Sequence, residues 1–172
     1  MKALLDFHPG LDFLKSHPDF QEKYSATVIL RIFYRCDIND DGKITFREFR
    51  KSNILQIFKK VCEEADINKI RDYFSYEHFY VLYCVFWDLD GNEHDFLLDK
   101  EDFSKYDGHC LSRKAVDRIF AQIPRKFTSN HPDRMGLEDF IWYLISEEDK
   151  TTRTSIEYWF KVVDLDNNGI IT

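Results

Sequence analysis

The sequence predicts an all-α fold built from helix–loop–helix units, and three observations support this prediction. A twelve-residue acidic loop, from Asp37 to Glu48, lies between two segments whose apolar residues recur at helical spacing. The same arrangement of apolar segment and polar loop recurs three more times along the chain. Only six Gly and four Pro occur in 172 residues, which favours regular elements over structureless loops.

The first loop, DINDDGKITFRE, supplies the oxygen ligands that calcium takes in an EF-hand. Asp37, Asn39 and Asp41 stand at positions 1, 3 and 5, and position 6 is the glycine that the sharp turn needs. Lys43 at position 7 has to give only its backbone carbonyl, and Glu48 at position 12 can give both carboxylate oxygens. A polar turn would explain the turn residues, but not Glu48 at this spacing. The loop therefore predicts a Ca²⁺ site.

Composition excludes several classes of protein. With 44% apolar and 16% aromatic residues, the chain is globular rather than disordered, and its length suits one or two small domains. The net charge of −7 argues against nucleic acid or an anionic membrane surface as the main partner. The four cysteines form no C-x-x-C pair. Their number permits disulfides, but reduced thiols in a cytoplasmic or nuclear protein are the interpretation that we prefer.

The helices around the first loop can be predicted from apolar spacing. Pro18 is expected in the first turn of the entering helix, which runs to the loop. One continuous leaving helix is expected from Phe49 to Val61. Ser75 is expected to cap the next helix, whose nine apolar residues at 79–87 predict burial on nearly all sides.

The second and third loops depart from the calcium template. Asp90 to Asp102 is one residue too long, so that Asp90, Asn92 and Asp102 could gather around a cation only if the extra residue bulges outward. The adjacent acidic and histidine residues also suggest a metallohydrolase, but a loop does not present ligands convergently as a helix does. The loop at 128–139 has too few oxygen ligands, and a structural hand without metal is expected there.

The fourth loop lies at the end of the chain. Asp164, Asp166 and Asn168 occupy positions 1, 3 and 5, and Ile170 offers its carbonyl at position 7. The chain stops at position 9, so the site is incomplete and we expect the chain to be part of a longer protein.

The residues at position 8 of the four loops define an internal repeat. They are separated by 54, 37 and 36 residues, and are Ile44, Leu98, Met135 and Ile171. Such residues pair in EF-hands, so a short antiparallel bridge is predicted between Leu98 and Met135. We therefore divide the chain into a region with one intact EF-hand at 1–72, a divergent EF-hand pair at 73–150 and the start of a further hand at 151–172.

The sequence also resembles a known family along nearly its whole length. The resemblance lies in FHPGLDFLK (7–15), YFSYEHFYVLYCVFWDLD (73–90), LISEEDK (144–150) and TSIEYWFKVVDLD (154–166). These stretches are similar to the B-double-prime (B'') regulatory subunits of protein phosphatase 2A. The resemblance implies an all-helical, EF-hand-containing phosphatase regulator without catalysis of its own. It also implies binding to the scaffold and catalytic subunits, a choice among protein substrates, and assembly that calcium tunes.

The resemblance places the metal loops of the family at 90–102 and at 164 onward. The intact loop at 37–48 departs from the family, whose known animal members have a degraded loop there. Two other classes stay open. A free-standing EF-hand calcium sensor or adaptor would bind a partner helix, although only two Met are available for the usual Met-rich groove. An enzyme would need a convergent catalytic set, which the sequence does not offer.

Overall fold

The structure, a computed structural model, describes residues 1–91 and 94–171, and this part of the chain is mainly helical. It divides into two compact units, Met1–Val81 and Leu82–Thr172. The helices are α1 (Lys2–Phe7), α2 (Pro18–Cys36), α3 (Phe46–Lys51), α4 (Ile54–Glu63), α5 (Tyr76–Leu89), α6 (Lys100–Ser104), α7 (Arg113–Phe120), α8 (Leu137–Glu148) and α9 (Arg153–Val163). Strands β1 (Leu97–Leu98) and β2 (Met135–Gly136) form one small sheet, and short 3₁₀ helices span Pro9–Ser16, Ile67–Lys69 and Tyr106–Gly108.

This architecture confirms the predicted all-α class with short β bridges. Within the described residues, no helix combines the length and the apolar character that a membrane crossing requires. The three regions of the repeat were defined by loop spacing rather than by packing, and that division stays a prediction.

Helix α2 organises the first unit. It has Pro18 in its first turn, as predicted, and it ends at the residue before the first loop. The buried Tyr24 hydroxyl donates to the Phe74 carbonyl at 2.6 Å. The buried Arg31 guanidinium donates to the carbonyls of Tyr73 and Arg71 at 3.0 and 2.7 Å. The segment after α4 is thus part of the core, and its residues Ile67, Ile70, Tyr73 and Phe74 are buried.

The FHPG stretch closes the other side of this unit. The ring of the buried His8 accepts from the Gly10 N–H through Nδ1 at 3.1 Å, and its Nε2 lies 3.0 Å from the Glu64 carbonyl. Because Nδ1 is an acceptor, Nε2 carries the proton and donates to that carbonyl. A Cβ at Gly10 would lie 2.8 Å from the Ala65 carbonyl oxygen, so a larger residue cannot fit without a backbone shift.

The leaving helix of the first loop is broken, and the prediction of one continuous helix was wrong. Between α3 and α4, Ser52 is extended with ψ of 165°, and its hydroxyl donates to the Phe49 carbonyl at 2.7 Å. Asn53 accepts from the Tyr73 hydroxyl at 2.6 Å through its side-chain oxygen. Desolvation raises the pKa of Tyr73 to about 12. The local Ser52 contact competes with the helical backbone bonds at this turn, and the contact with Tyr73 fixes Asn53 beside the break.

Helix α5 is capped as predicted, because Ser75 Oγ accepts the His78 N–H at 3.2 Å. The prediction of burial on nearly all sides was wrong. Phe79, Leu82 and Phe86 form a buried stripe, whereas Tyr80 and Val81 are 47% and 57% exposed. Burial follows the helical period rather than the apolar run, because packing on one side of a helix covers only one face.

The second unit is built around the paired second and third loops. Leu98 lies opposite Met135 and Leu97 opposite Gly136, which confirms the predicted antiparallel bridge and its register. Aromatic rings fill the space beneath the bridge. Phe103 contacts Tyr143 edge-to-face with ring centroids 4.8 Å apart. Both rings are buried, so the helices after the two loops share one core.

The third loop is held by protein groups at the place where calcium acts in an EF-hand. Asp139, its twelfth residue, is buried and accepts through Oδ1 from the N–H and hydroxyl of Thr128 at 2.8 and 2.9 Å. Its Oδ2 accepts from the N–H groups of Ser129 and Gly136, each at 3.3 Å. The Arg125 guanidinium lies 3.3 Å from Oδ1 and 4.0 Å from the ring centre of Trp142. A fixed cation therefore neutralises Asp139 from within the chain.

The Tyr24–Phe74 hydrogen bond predicts a measurable loss of stability. We expect Tyr24→Phe to lower the free energy of unfolding by about 1–3 kcal/mol, because the buried Phe74 carbonyl would lose its donor. Urea denaturation of the parent and variant measures the difference. The control is Tyr80→Phe at an exposed position, which should change stability by less than about 0.5 kcal/mol. Equal losses in the two variants would contradict the assigned role.

The Asp139 network predicts a larger effect. Asp139→Asn keeps the side-chain size but places an NH₂ group against protein donors and leaves Arg125 beside a neutral residue. We expect a loss of about 3–5 kcal/mol in unfolding free energy, as for removal of one partner of a buried ion pair. Thermal denaturation in the presence of chelator measures it. The control is Asp133→Asn, at an exposed position of the same loop. A loss of unfolding free energy below about 1 kcal/mol in Asp139→Asn, similar to that of the control, would refute the network.

Candidate metal centre

The first loop begins with a buried carboxylate. Asp37 directly follows α2, its N–H donates to the Phe33 carbonyl at 2.8 Å, and its side chain is only 2% exposed. Its Oδ1 accepts the N–H of Asp41 at 3.2 Å and its Oδ2 accepts the N–H of Gly42 at 2.8 Å. The carboxylate at position 1 thus folds positions 5 and 6 of the loop back over the end of the helix.

The backbone of this loop adopts the left-handed conformation at two residues. Asp40 at position 4 has φ of 51° and Gly42 at position 6 has φ of 74°. Asn39 donates to Asp41 Oδ2 at 2.9 Å, and Asp41 Oδ1 accepts the Lys43 N–H at 2.9 Å. Side chains at positions 1, 3 and 5 are thereby drawn into one hydrogen-bonded loop.

Glu48 at position 12 is directed elsewhere. Its Oε2 accepts from the hydroxyl and N–H of Thr45 at 2.6 and 2.9 Å, while the Thr45 hydroxyl oxygen accepts the Glu48 N–H at 3.3 Å. This is a capping box at the start of α3. The Thr45 hydroxyl, followed by its N–H, lowers the pKa of Glu48. A calcium ion in this loop would have to draw Glu48 away from Thr45.

The fourth loop repeats the geometry of the first, except that the donor and the acceptor of the contact between positions 3 and 5 are exchanged. Asp164 directly follows α9, is buried, and accepts the N–H groups of Asn168 and Gly169 at 3.2 and 2.9 Å. Asn168 donates to Asp166 at 2.7 Å through its side-chain amide, and its side-chain oxygen accepts the Ile170 N–H at 2.7 Å. Positions 4 and 6 again have positive φ, 54° and 79°.

Two opposing effects act on the acidity of Asp164. Burial tends to raise its pKa, but the N–H groups of Gly169 and Asn168 that donate to the carboxylate and the positive charge of Arg118 act in the opposite direction, and the pKa is lowered overall. The ionised carboxylate, which is the form that binds a cation, is therefore the favoured form in this loop.

The second loop is arranged differently. Asp90 is buried, its Oδ2 accepts the Phe96 N–H at 2.9 Å, and its Oδ1 has no hydrogen-bond partner among the described residues. Desolvation raises the pKa of Asp90, and the Asp95 and Asp102 carboxylates add to this effect. Asp102 forms a capping box with Asp99 and lies 2.9 Å from the Lys105 ammonium. Asn92 lies outside the described residues.

The donor sets fit a hard cation to different degrees. Asp37, Asn39 and Asp41 supply oxygens on one loop, and so do Asp164, Asp166 and Asn168. At the second loop, the unpartnered Asp90 oxygen fits a cation, but the Asp102 ion pair with Lys105 does not. No three or more His, Cys, Asp or Glu side chains are grouped for metal binding within 1–91 and 94–171.

Sequence reasoning did not identify Arg118, which touches a candidate loop. Arg118 on α7 donates to the backbone and one side chain of the fourth loop. Arg118 lies between the apolar residues Val116 and Ile119, which could have suggested that the aliphatic part of its side chain packs against the protein. No sequence motif indicates that its guanidinium contacts the fourth loop. Its contacts depend on the packing of α7 beside α9.

Comparisons with known proteins agree with this geometry. The family model of the EF-hand domain matches residues 1–64, a range that contains the first loop. The chain is 51% identical, over all of its residues, to a probable B''delta regulatory subunit of serine/threonine protein phosphatase 2A from Arabidopsis thaliana. It is 49% identical, again over its whole length, to the alpha form of the human B'' regulatory subunits. The chain spans only 32% and 15% of the lengths of these two relatives.

A solved structure has the same fold. It is described as a PP2A PR70 holoenzyme in a di-calcium (diCa) form, with 48% sequence identity and a TM-score of 0.90. The match covers 99% of the present chain and 62% of the matched chain. The relatives are named regulatory rather than catalytic subunits, as the sequence predicted. The resemblance to the B'' regulatory subunits of protein phosphatase 2A is thus confirmed along the whole of this chain.

Proposed function

We propose that this chain is the calcium-binding part of a non-catalytic regulatory subunit that binds the scaffold and catalytic subunits of protein phosphatase 2A and directs substrate choice. The observation that carries the proposal is the identity of about half of all residues with B'' regulatory subunits over the whole of this chain. The similar fold in a PP2A PR70 holoenzyme supports the same partners. Protein substrates of the phosphatase would be the second class of partner.

Calcium is the proposed cofactor, and the first loop is its primary site. Asp37, Asn39, Asp41, the Lys43 carbonyl and Glu48 would hold the ion. The match of residues 1–64 to the EF-hand domain supports this assignment, as does the loop that Asp37 already folds. When bound, calcium would neutralise the carboxylates of the loop. It would also exchange the Thr45–Glu48 contact for one that joins α3 to the end of α2.

The other loops have secondary roles in this proposal. Asp164, Asp166, Asn168 and the Ile170 carbonyl form the first part of a site that the present chain does not complete. Asp90, Asn92 and Asp102 form a weaker candidate, because Asp102 already has a cationic partner in Lys105. The third loop keeps a structural role, since Arg125 neutralises Asp139.

We also propose a cytoplasmic or nuclear location, with neither nucleic acid nor membrane as a partner. The four cysteines are free in the structure, which fits a reducing compartment. The charge of −7 is unfavourable for contact with polyanions. A free-standing calcium sensor or adaptor remains the second candidate, and the exposed apolar residues Leu55 and Phe58 on α4 favour it as a surface for a partner helix.

The first-loop assignment predicts the effect of removing one charge. We expect Glu48→Gln to weaken calcium binding at the first loop by at least about 100-fold. Loss of a residue that only supports a metal ligand lowers metal affinity by up to about 100-fold, and loss of a direct ligand should lower it at least as much. Isothermal calorimetry gives the affinity and the number of sites. Glu63→Gln, which removes the same charge from the exposed end of α4, is the control and should bind like the parent. Unchanged binding by Glu48→Gln would remove the first loop from the proposal.

The partner assignment predicts binding to the phosphatase core. A chain continued past Thr172 through the twelfth position of the fourth loop would be passed over immobilised scaffold–catalytic dimer, with calcium or with chelator. We expect binding in both conditions and a roughly 5- to 150-fold difference in affinity, the usual size of coupling between two sites.

Two results would count against this assignment. No binding in either condition would refute the partner and favour the free-standing sensor. Equal affinities for the dimer with calcium and with chelator would leave the partner assignment in place but would exclude calcium as a regulator of binding. Calcium can shift this equilibrium only by the difference between its affinities for the bound and free forms of the chain. The Glu48→Gln variant, measured in parallel, separates the contribution of the first loop from that of the others.

A further inference from the structure

The fourth loop is held from outside by a single arginine. Arg118 lies on α7, and its Nη2 donates to the carbonyls of Lys161 and Asp164, each at 2.6 Å. The same nitrogen contacts Asn167 Oδ1 at 2.8 Å, and Nη1 donates to the Leu165 carbonyl at 3.1 Å. One guanidinium thus joins the last turn of α9 to positions 1, 2 and 4 of the loop.

None of these four acceptors is a proposed calcium ligand. The ligand atoms are the side-chain oxygens of Asp164, Asp166 and Asn168 and the Ile170 carbonyl, whereas Arg118 uses other oxygens. Arg118 and a cation therefore do not compete for the same atoms. Asn167, which Arg118 contacts, is the position-4 residue with φ of 54°. The guanidinium supports the one non-glycine residue of the loop that has a left-handed backbone.

The contact has two opposing consequences for a cation. The positive guanidinium repels the ion and would weaken binding. The fixed backbone removes part of the ordering cost and would strengthen binding. The acceptors are spread over two nitrogens of a planar fork, a geometry that an ammonium cannot reproduce. We propose that Arg118 is a positioning residue that fixes the fourth loop in its ligand-ready conformation before calcium arrives, and that ordering outweighs repulsion.

This inference rests on the proposed calcium binding of the fourth loop, and it makes that loop depend on α7. Since α7 is the helix that enters the third hand, Arg118 would connect the third and fourth hands. A movement of α7 would then change the conformation of the fourth loop. The metal-free third hand, held by Asp139, would supply a fixed support for its neighbour.

The metal-free part of the test uses the present chain. Amide hydrogen exchange in chelator is compared among the parent, Arg118→Lys and Arg118→Met. The readout is the pair of amides that donate to Asp164, those of Asn168 and Gly169. We expect both variants to exchange about ten-fold faster at these amides or more, because lysine keeps the charge but not the fork.

Two controls accompany the exchange measurement. Arg113→Met removes a cation from the start of the same helix, and it should leave both amides unchanged. The Gly42 amide of the first loop and the Thr128 amide, which donates to Asp139, should behave alike in all variants, which reports that both compact units stay folded. Parent-like exchange at Asn168 and Gly169 in Arg118→Lys and Arg118→Met would overturn the positioning role.

The calcium part of the test uses the chain continued through the twelfth position. We expect the affinity of the fourth loop to fall about ten-fold in both variants. If repulsion between the guanidinium and the ion dominated instead, Arg118→Met would bind calcium more tightly than the parent. Arg118→Lys, which keeps the positive charge, would bind like the parent. This result would overturn the balance that we infer. A parent whose fourth loop binds no calcium would refute the proposed function of that loop, while the exchange result would still decide the positioning role.

Discussion

A buried carboxylate at the start of the loop is the constraint on which the first and fourth hands depend. Asp37 and Asp164 each directly follow a helix, and each must find donors because a buried ionised group is costly when it is unpaired. Both find them in the N–H groups of positions 5 and 6. Pairing these groups forces the chain to reverse, with left-handed residues at positions 4 and 6. The ligand-bearing half of the loop is therefore shaped by the protein alone.

The four loops differ in how the negative charges of their carboxylates are neutralised. In the third, Asp139 at position 12 is satisfied by five protein donors, including Arg125, so that a cation is not required. In the second, Asp102 is paired with Lys105 while one oxygen of Asp90 is left without a partner in the described chain. In the first, Glu48 is only lightly held, by the neighbouring Thr45. Calcium responsiveness would thus be concentrated where carboxylates are arranged but not neutralised.

Much of this organisation could be predicted because it depends on short-range rules. The helical period of apolar residues located α2 and its end. The residues at position 8 of the second and third loops located the Leu98–Met135 bridge with its register. The break at Ser52 could not be predicted, because it depends on Asn53 meeting the distant Tyr73. The exposed Tyr80 and Val81 show that a run of apolar residues does not reveal which side of a helix is covered.

The candidate sites were predictable in their residues but not in their conformation. The spacing of Asp37, Asn39 and Asp41 identifies candidate ligands, whereas the direction of the Glu48 carboxylate is set in the structure by its capping box with Thr45. Arg118 carries no sequence signature, because its acceptors are mostly backbone carbonyls more than forty residues away. Contacts of this kind appear only when helices are packed in three dimensions.

We infer that Asp37 shapes the first loop in advance and that only Glu48 has to move for calcium to bind. A crystal structure of this chain grown with calcium, with anomalous diffraction to locate the ion, tests it most directly. We expect a calcium ion within the loop at 37–48, an unchanged Asp37 contact with the Gly42 N–H, and a Glu48 carboxylate turned from Thr45 to the ion. A loop without an ion, in which Glu48 stays bonded to Thr45, would contradict it.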